Sequence, residues 1–132
     1  LRYSLMPYIY GQAEKCTETG LPMMRALYLE YPDDRNVRYI DDEYLFGESL
    51  LIAPVLKPLS KTDIREIYLP KGTWFDYHTK EKIESNGMWI SQKVDLRTLP
   101  IFVKEGTTLK YCEVKNNLQN GMGEVVKTEE YR

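Results

Sequence analysis

"TGLPMMRALYLEYPDD", residues 19–34, is the stretch on which the reading of the fold turns. Gly20 and Pro22 break the chain ahead of a dense apolar run, MMRALYLEY, which ends at Pro32 and two aspartates. Apolar side chains on neighbouring positions, rather than on alternate ones, predict a strand covered on both faces, as in a parallel sheet. Upstream, Leu1, Leu5, Tyr8, Ile9, Ala13 and Cys16 fall close to a helical period, with Pro7 as a start or kink and Gly20 as a stop. A helix followed by such a strand is half of a βαβ unit, which cannot bury its own apolar face. Residues 1 to about 47 therefore read as the end of an α/β domain.

Downstream the pattern changes. "PDDRNVRYIDDEYLFGESL" predicts a polar loop and a short helix over residues 40 to 46, ended by Gly47. Then come short β-type runs, "SLLIAPVL", "IREIYL", "TWFDY", "MWISQKV", "PIFVK" and "TTLKY", punctuated by Pro70-Lys71-Gly72, Asn86-Gly87 and Glu105-Gly106. Strands at this spacing predict an antiparallel sheet folded as a sandwich over residues 48 to about 112. The tail from residue 113 has weak periodicity and reads as an unfinished strand pair or an artificial boundary.

Composition narrows the function classes. The 132 residues are 42% hydrophobic and 29% charged, ordinary for a folded globular chain, and the net charge is −2. With no basic stripe, a nucleic-acid partner has no support, and no apolar run approaches a membrane span. Cys16 and Cys112 form no Cys-x-x-Cys pair, and the one histidine, His78, leaves no Cys/His metal set. Leu1 is no natural start, so the chain is read as a fragment of a larger protein. Such a fragment is expected to expose the apolar surface of its strand and to self-associate.

Candidate chemistry is sparse. Glu30, Asp33 and Asp34 stand at the end of the apolar run, and a carboxylate pair at a strand end is what glycoside hydrolysis requires. Pro-Asp-Asp is also ordinary turn and capping chemistry, and the capping reading is preferred. Asp41 and Asp42 are expected to cap the short helix. In "WFDYHTKEK", Trp74 and Asp76 point to one face and Phe75 and Tyr77 to the other, so one aromatic set belongs to the core, and His78 reads as a turn residue. Arg25, inside the apolar run, needs an anionic partner, which a neighbouring strand would supply. No catalytic residue and no metal ligand is assigned, and no substrate-binding residue can be named.

The blocks "LRYSLMPYIYGQAEKCTETGLPMMRALYLEYPDD", "YIDDEYLFGESLLIAPVL", "REIYLPKGTWFDYHTKEK" and "LPIFVKEGTTL" resemble, in this order, glycoside hydrolase family 31, the retaining α-glucosidases and α-xylosidases. The resemblance covers roughly residues 1 to 110. It implies a mixed fold: the terminal helix and strand of a (β/α)8 barrel (1–47), then a mainly antiparallel β-sandwich (48–112), with residues 113–132 unassigned. It also implies an oligosaccharide substrate of the parent protein, xylosyl or glucosyl, cleaved by double displacement with carboxylates alone and no cofactor. The family's catalytic aspartates lie on earlier strands, so this chain is expected to be inactive alone. A different class of reading is a stand-alone β-sandwich that binds carbohydrate through Trp74, Tyr77 and Trp89.

Overall fold

The computed structural model describes residues 5–55, 64–95, 99–112 and 125–132. The chain divides into two compact units, Leu1–Met23 with Gly106–Arg132, and Met24–Glu105. Leu1 of the predicted helix, Leu56 at the end of the run "SLLIAPVL" and residues 113–124 of the tail lie outside the described residues.

In the first unit, helix α1 spans Met6–Thr19. Pro7 sits in its first turn, where the missing N–H is no loss, and Gly20 closes it at φ 76° by donating its N–H to the Cys16 carbonyl at 2.9 Å. Tyr8 and Gln12 are its buried residues, and Leu5, just ahead of its first turn, is buried with them at helical spacing. Strands β9 (Thr107–Cys112) and β10 (Val125–Tyr131), numbered in chain order with those below, pair antiparallel, and α1 packs on β9. The tail beyond residue 124 is thus a completed strand, its Glu129 accepting from the Tyr131 hydroxyl at 2.7 Å.

The second unit holds β1 (Met24–Arg25), helix α2 (Leu27–Glu30), a 3₁₀ turn (Arg35–Tyr39), β2 (Tyr44–Phe46) and β3 (Leu50–Ile52). It continues with β4 (Ile64–Leu69), β5 (Gly72–Asp76), β6 (Lys82–Ser85), β7 (Met88–Lys93) and β8 (Ile101–Lys104). One sheet has six strands in the order β1-β2-β3-β8-β5-β6, every pairing antiparallel, and β4 pairs with β7 in a second sheet. Leu45, Leu51, Trp74 and Phe102 of the large sheet meet Ile67 and Leu69 of the small one in the core, with Leu27 and Val37 from the β1–β2 connection. This is the mainly antiparallel sandwich read from the sequence.

Three local expectations are corrected. MMRALYLEY is not a continuous strand buried on both faces. Two residues, Met24 and Arg25, pair antiparallel with Phe46 and Leu45, and the chain then turns at Ala26 into α2. Burial here is one-sided: Arg25 and Leu27 are inside while Met24, Tyr28 and Leu29 are exposed. Arg25 binds Glu30 five residues on, and that contact requires the chain to double back rather than run straight. The expected helix over residues 40–46 is instead β2, because Leu45 must face the core in register with Leu51. Gly47, expected to end that helix, is the φ 71° residue of the β2–β3 turn. β2 pairs with β1 on one side and with β3 on the other, so these three strands share one sheet.

The sandwich is closed by a bent ribbon. Ile64–Leu69 and Met88–Lys93 pair in one sheet, Gly72–Phe75 and Lys82–Ser85 in the other, and Pro70-Lys71 and Asn86-Gly87 are the two halves of the bend. Ser85 Oγ donates to the Leu69 carbonyl at 2.6 Å and accepts from Gly87 N–H at 3.0 Å. Trp74, 1% exposed, donates from Nε1 to the Pro70 carbonyl at 2.9 Å. At the far end of β5, Asp76 accepts from Gln92 of β7, which ties the two layers together again.

Gly87 has φ 86°, and a Cβ there would stand 2.7 Å from the Tyr68 hydroxyl oxygen. Gly87→Ala is therefore expected to destabilise the chain by ~1–3 kcal/mol from the left-handed backbone alone, with the clash against Tyr68 added. Ser85→Ala is expected to remove about 1–3 kcal/mol by leaving a buried carbonyl unsatisfied. Urea-unfolding midpoints check both; wild-type midpoints in the two variants would show that the bend is not held this way.

Candidate functional site

The β1–β2 connection and the ribbon bend face each other across a cavity of about 410 Å³, lined by Tyr31, Asp33, Asp34, Tyr68, Lys71 and Asn86 among others. Its floor is a fixed network. Asp34 caps the 3₁₀ turn by accepting the Asn36 backbone N–H at 3.0 Å through Oδ1, and its Oδ2 accepts the Tyr68 hydroxyl at 2.5 Å. Asn36 Nδ2 donates to the same hydroxyl at 3.4 Å. Burial, then the bond to Asp34, holds the Tyr68 phenol above its ordinary pKa, so it remains a donor. Burial and the adjacent Glu30 push the Tyr31 phenol up to about 12.

The acidic candidates part company here. Glu30 is paired with Arg25, which is buried, so the partner expected on a neighbouring strand is instead supplied by α2. Asp34 is spent on capping and on Tyr68. Asp33 is exposed, and no hydrogen bond or ion pair engages it among the described residues. Asp41 is exposed and Asp42 offers its backbone carbonyl and its carboxylate to Arg65, at 2.5 and 3.4 Å; with no helix present, neither caps one.

The aromatic candidates are mostly structural. Trp74 is core, as the alternation along β5 requires, and Tyr77 is half-buried with the Lys80 ammonium 4.6 Å from its ring centre. Phe75 is half-buried as well. His78 sits in a turn organised by Asp76, whose Oδ1 accepts its backbone N–H at 2.8 Å, and its Nε2 lies 2.9 Å from the Leu99 carbonyl. His78 is exposed, and so is Trp89, its ring 5.4 Å from that of Tyr68. Among the described residues no group of three or more His, Cys, Asp or Glu could hold a metal ion, and no helix is long and apolar enough to cross a membrane.

Sequence reasoning passed over Glu43. It is buried, its Oε1 accepts the Tyr68 backbone N–H at 2.8 Å, and its Oε2 has no hydrogen-bond partner among the described residues. Desolvation pushes its carboxyl up to about 7, against the opposing pull of the Tyr68 N–H and Arg65 and with Asp42 adding to the rise. An acidic residue between Asp42 and Tyr44 gives no local sign of burial; only its place on the way into β2 does. The folded state keeps a proton that the unfolded chain releases above its ordinary carboxylate value of 4.5. Stability from this group is therefore complete below that value and declines as pH rises through about 7, by at most ~1.4 kcal/mol per pH unit. Glu43→Gln keeps the acceptor and is expected to flatten this decline in urea midpoints taken between pH 5 and 8. An equal decline in the variant would assign the pH dependence to other groups.

The geometry places this sandwich among known proteins. Residues 20–109 match the family described as the glycosyl hydrolase family 31 C-terminal domain. The chain is 43% identical over 119 residues to alpha-glucosidase 2 of Bacillus thermoamyloliquefaciens, covering 90% of this chain and 15% of that protein. It is 43% identical over 110 residues to the alpha-xylosidase of Saccharolobus solfataricus, covering 83% of this chain and 15% of that protein. Among solved structures, the GH31 dextranase of Flavobacterium johnsoniae in complex with isomaltotriose superposes with a TM-score of 0.79 at 38% identity, over 86% of this chain and 14% of that one. The chain thus spans about a seventh of the length of these relatives. With more than half of its residues inside the matched range, the chain belongs to glycosyl hydrolase family 31, in its C-terminal domain.

Proposed function

We propose that this chain is the C-terminal part of a retaining α-glycosidase that hydrolyses terminal α-linked xylosyl or glucosyl residues of oligosaccharides. The observation that carries the proposal is the 43% identity, over most of the chain, to both an alpha-glucosidase and an alpha-xylosidase. The mechanism is double displacement: one carboxylate attacks the anomeric carbon to form a covalent glycosyl-enzyme, and a carboxylic acid first protonates the leaving oxygen and then activates water. No cofactor is needed for that chemistry.

The two catalytic aspartates are proposed to lie in a (β/α)8 barrel outside this chain, with α1 as the end of that barrel and β1 to β8 as the sandwich. The site geometry supports this division of labour. A retaining pair needs two carboxyl groups free to face one bond, roughly 5–5.5 Å apart. Of the carboxylates at the cavity, Glu30 is held by Arg25 and Asp34 by Tyr68 and the Asn36 N–H, and only Asp33 is uncommitted among the described residues. The alternative of a free-standing carbohydrate-binding module loses two of its three stacking surfaces, since Trp74 is core and Tyr77 lies under Lys80.

The 132-residue chain is expected to release no aryl aglycone from 4-nitrophenyl α-xyloside or α-glucoside above background, while the parent enzyme releases it with retention, read by the anomer first seen in proton NMR. Specific turnover by the 132-residue chain, abolished by Asp33→Asn, would overturn the assignment. Inverted product from the parent would overturn the mechanism.

A further inference from the structure

The cavity between the Pro32–Asn36 turn and the ribbon bend carries more free hydrogen-bonding capacity than the fold uses. Its floor, Tyr68 with Asp34 and Asn36, is satisfied internally. Three exposed side chains on its rim, Asp33, Lys71 and Asn86, have no hydrogen bond or ion pair among the described residues. The volume of about 410 Å³ is that of a small-molecule pocket, within the roughly 300–1,000 Å³ that such sites span. Tyr31, Pro32 and the Tyr68 ring supply its less polar wall.

The lining decides the class of ligand. With Glu30 neutralised by Arg25, Asp33 and Asp34 against Lys71 still leave one negative charge in excess, so an anion meets net repulsion. A cation fares no better, because the carboxylates of Glu30 and Asp34 are already bonded and Lys71 stands at the same rim. A neutral ring rich in hydroxyls fits both signs: it donates to Asp33, accepts from Lys71 and Asn86, and lays its C–H face on a tyrosine ring. We propose that this cavity is a binding site for one hexopyranosyl unit of an oligosaccharide, held by Asp33, Lys71 and Asn86. The proposal concerns binding by this domain and is independent of where hydrolysis takes place.

Isomaltotriose titrated into the 132-residue chain, followed by tryptophan emission, tests it, since the Trp89 ring lies 5.4 Å from the Tyr68 ring of the cavity floor, tilted against it. Saturable binding is expected, weakened at least tenfold by Asp33→Ala and by Asn86→Ala and unchanged by Lys110→Ala on the exposed side of β9. Urea midpoints establish that each variant is folded; if Asn86→Ala lowers its midpoint, Lys71→Ala carries the same test. A flat titration, undiminished binding in the variants, or preferential binding of calcium or sulfate lost in the same variants would each overturn the proposal. None of these outcomes touches the glycosidase reading, which stands or falls on turnover by the parent enzyme.

Discussion

The sandwich depends on one bend. A two-stranded ribbon runs out as β4 and β7 in one layer and β5 and β6 in the other, and something must hold the fold in the ribbon while both layers keep their hydrogen bonds. Ser85 does this with one hydroxyl, donating across the ribbon to the Leu69 carbonyl and accepting from Gly87 N–H. A bend of this kind interrupts the ladder of both strands at once, and interrupted backbone groups that are buried must find other partners. The Trp74 indole meets the Pro70 carbonyl for the same reason, and it fills the space between the layers in doing so.

The bend also makes the cavity. By turning β4 toward the Pro32–Asn36 turn, it brings the Tyr68 hydroxyl onto Asp34 and Asn36, more than thirty residues away in the chain. The same strand presents its backbone N–H at Tyr68 to Glu43, a carboxylate with one satisfied and one unsatisfied oxygen. Tyr68 is thus fixed at both ends, by backbone and by phenol. Gly87 is the neighbour that makes room for it, since any side chain there would occupy the place of its hydroxyl oxygen.

Much of this was legible from residue order. Pro7 and Gly20 mark the ends of α1, and the glycines at 72, 87 and 106 fall at positive φ in the turns where the sequence predicts them. Trp74 and Asp76 share a buried face, as alternation along β5 requires. The failures were local too. MMRALYLEY carries enough apolar residues for a strand covered on both faces, yet half of them are exposed, because an ion pair between Arg25 and Glu30 folds the segment back. "IDDEYLF" has helical capping residues, and its register with Leu50–Ile52 makes its end a strand instead. Short β6, "KIES", has too little apolar character to announce itself and exists because β5 offers it an edge.

What the sequence determined by itself was the set of turns, the alternating faces of the strands and the family. These follow from φ preferences and side-chain period, which act within a few residues. Only the tertiary structure decided which carboxylates are spent and which are free. Glu30, Asp34, Asp42 and Glu43 look alike in the sequence, but one is paired within its own segment, one is held by a phenol, one by a guanidinium, and one is buried with an oxygen unpartnered. Those differences come from partners brought near by strand pairing and burial, and no local pattern encodes them.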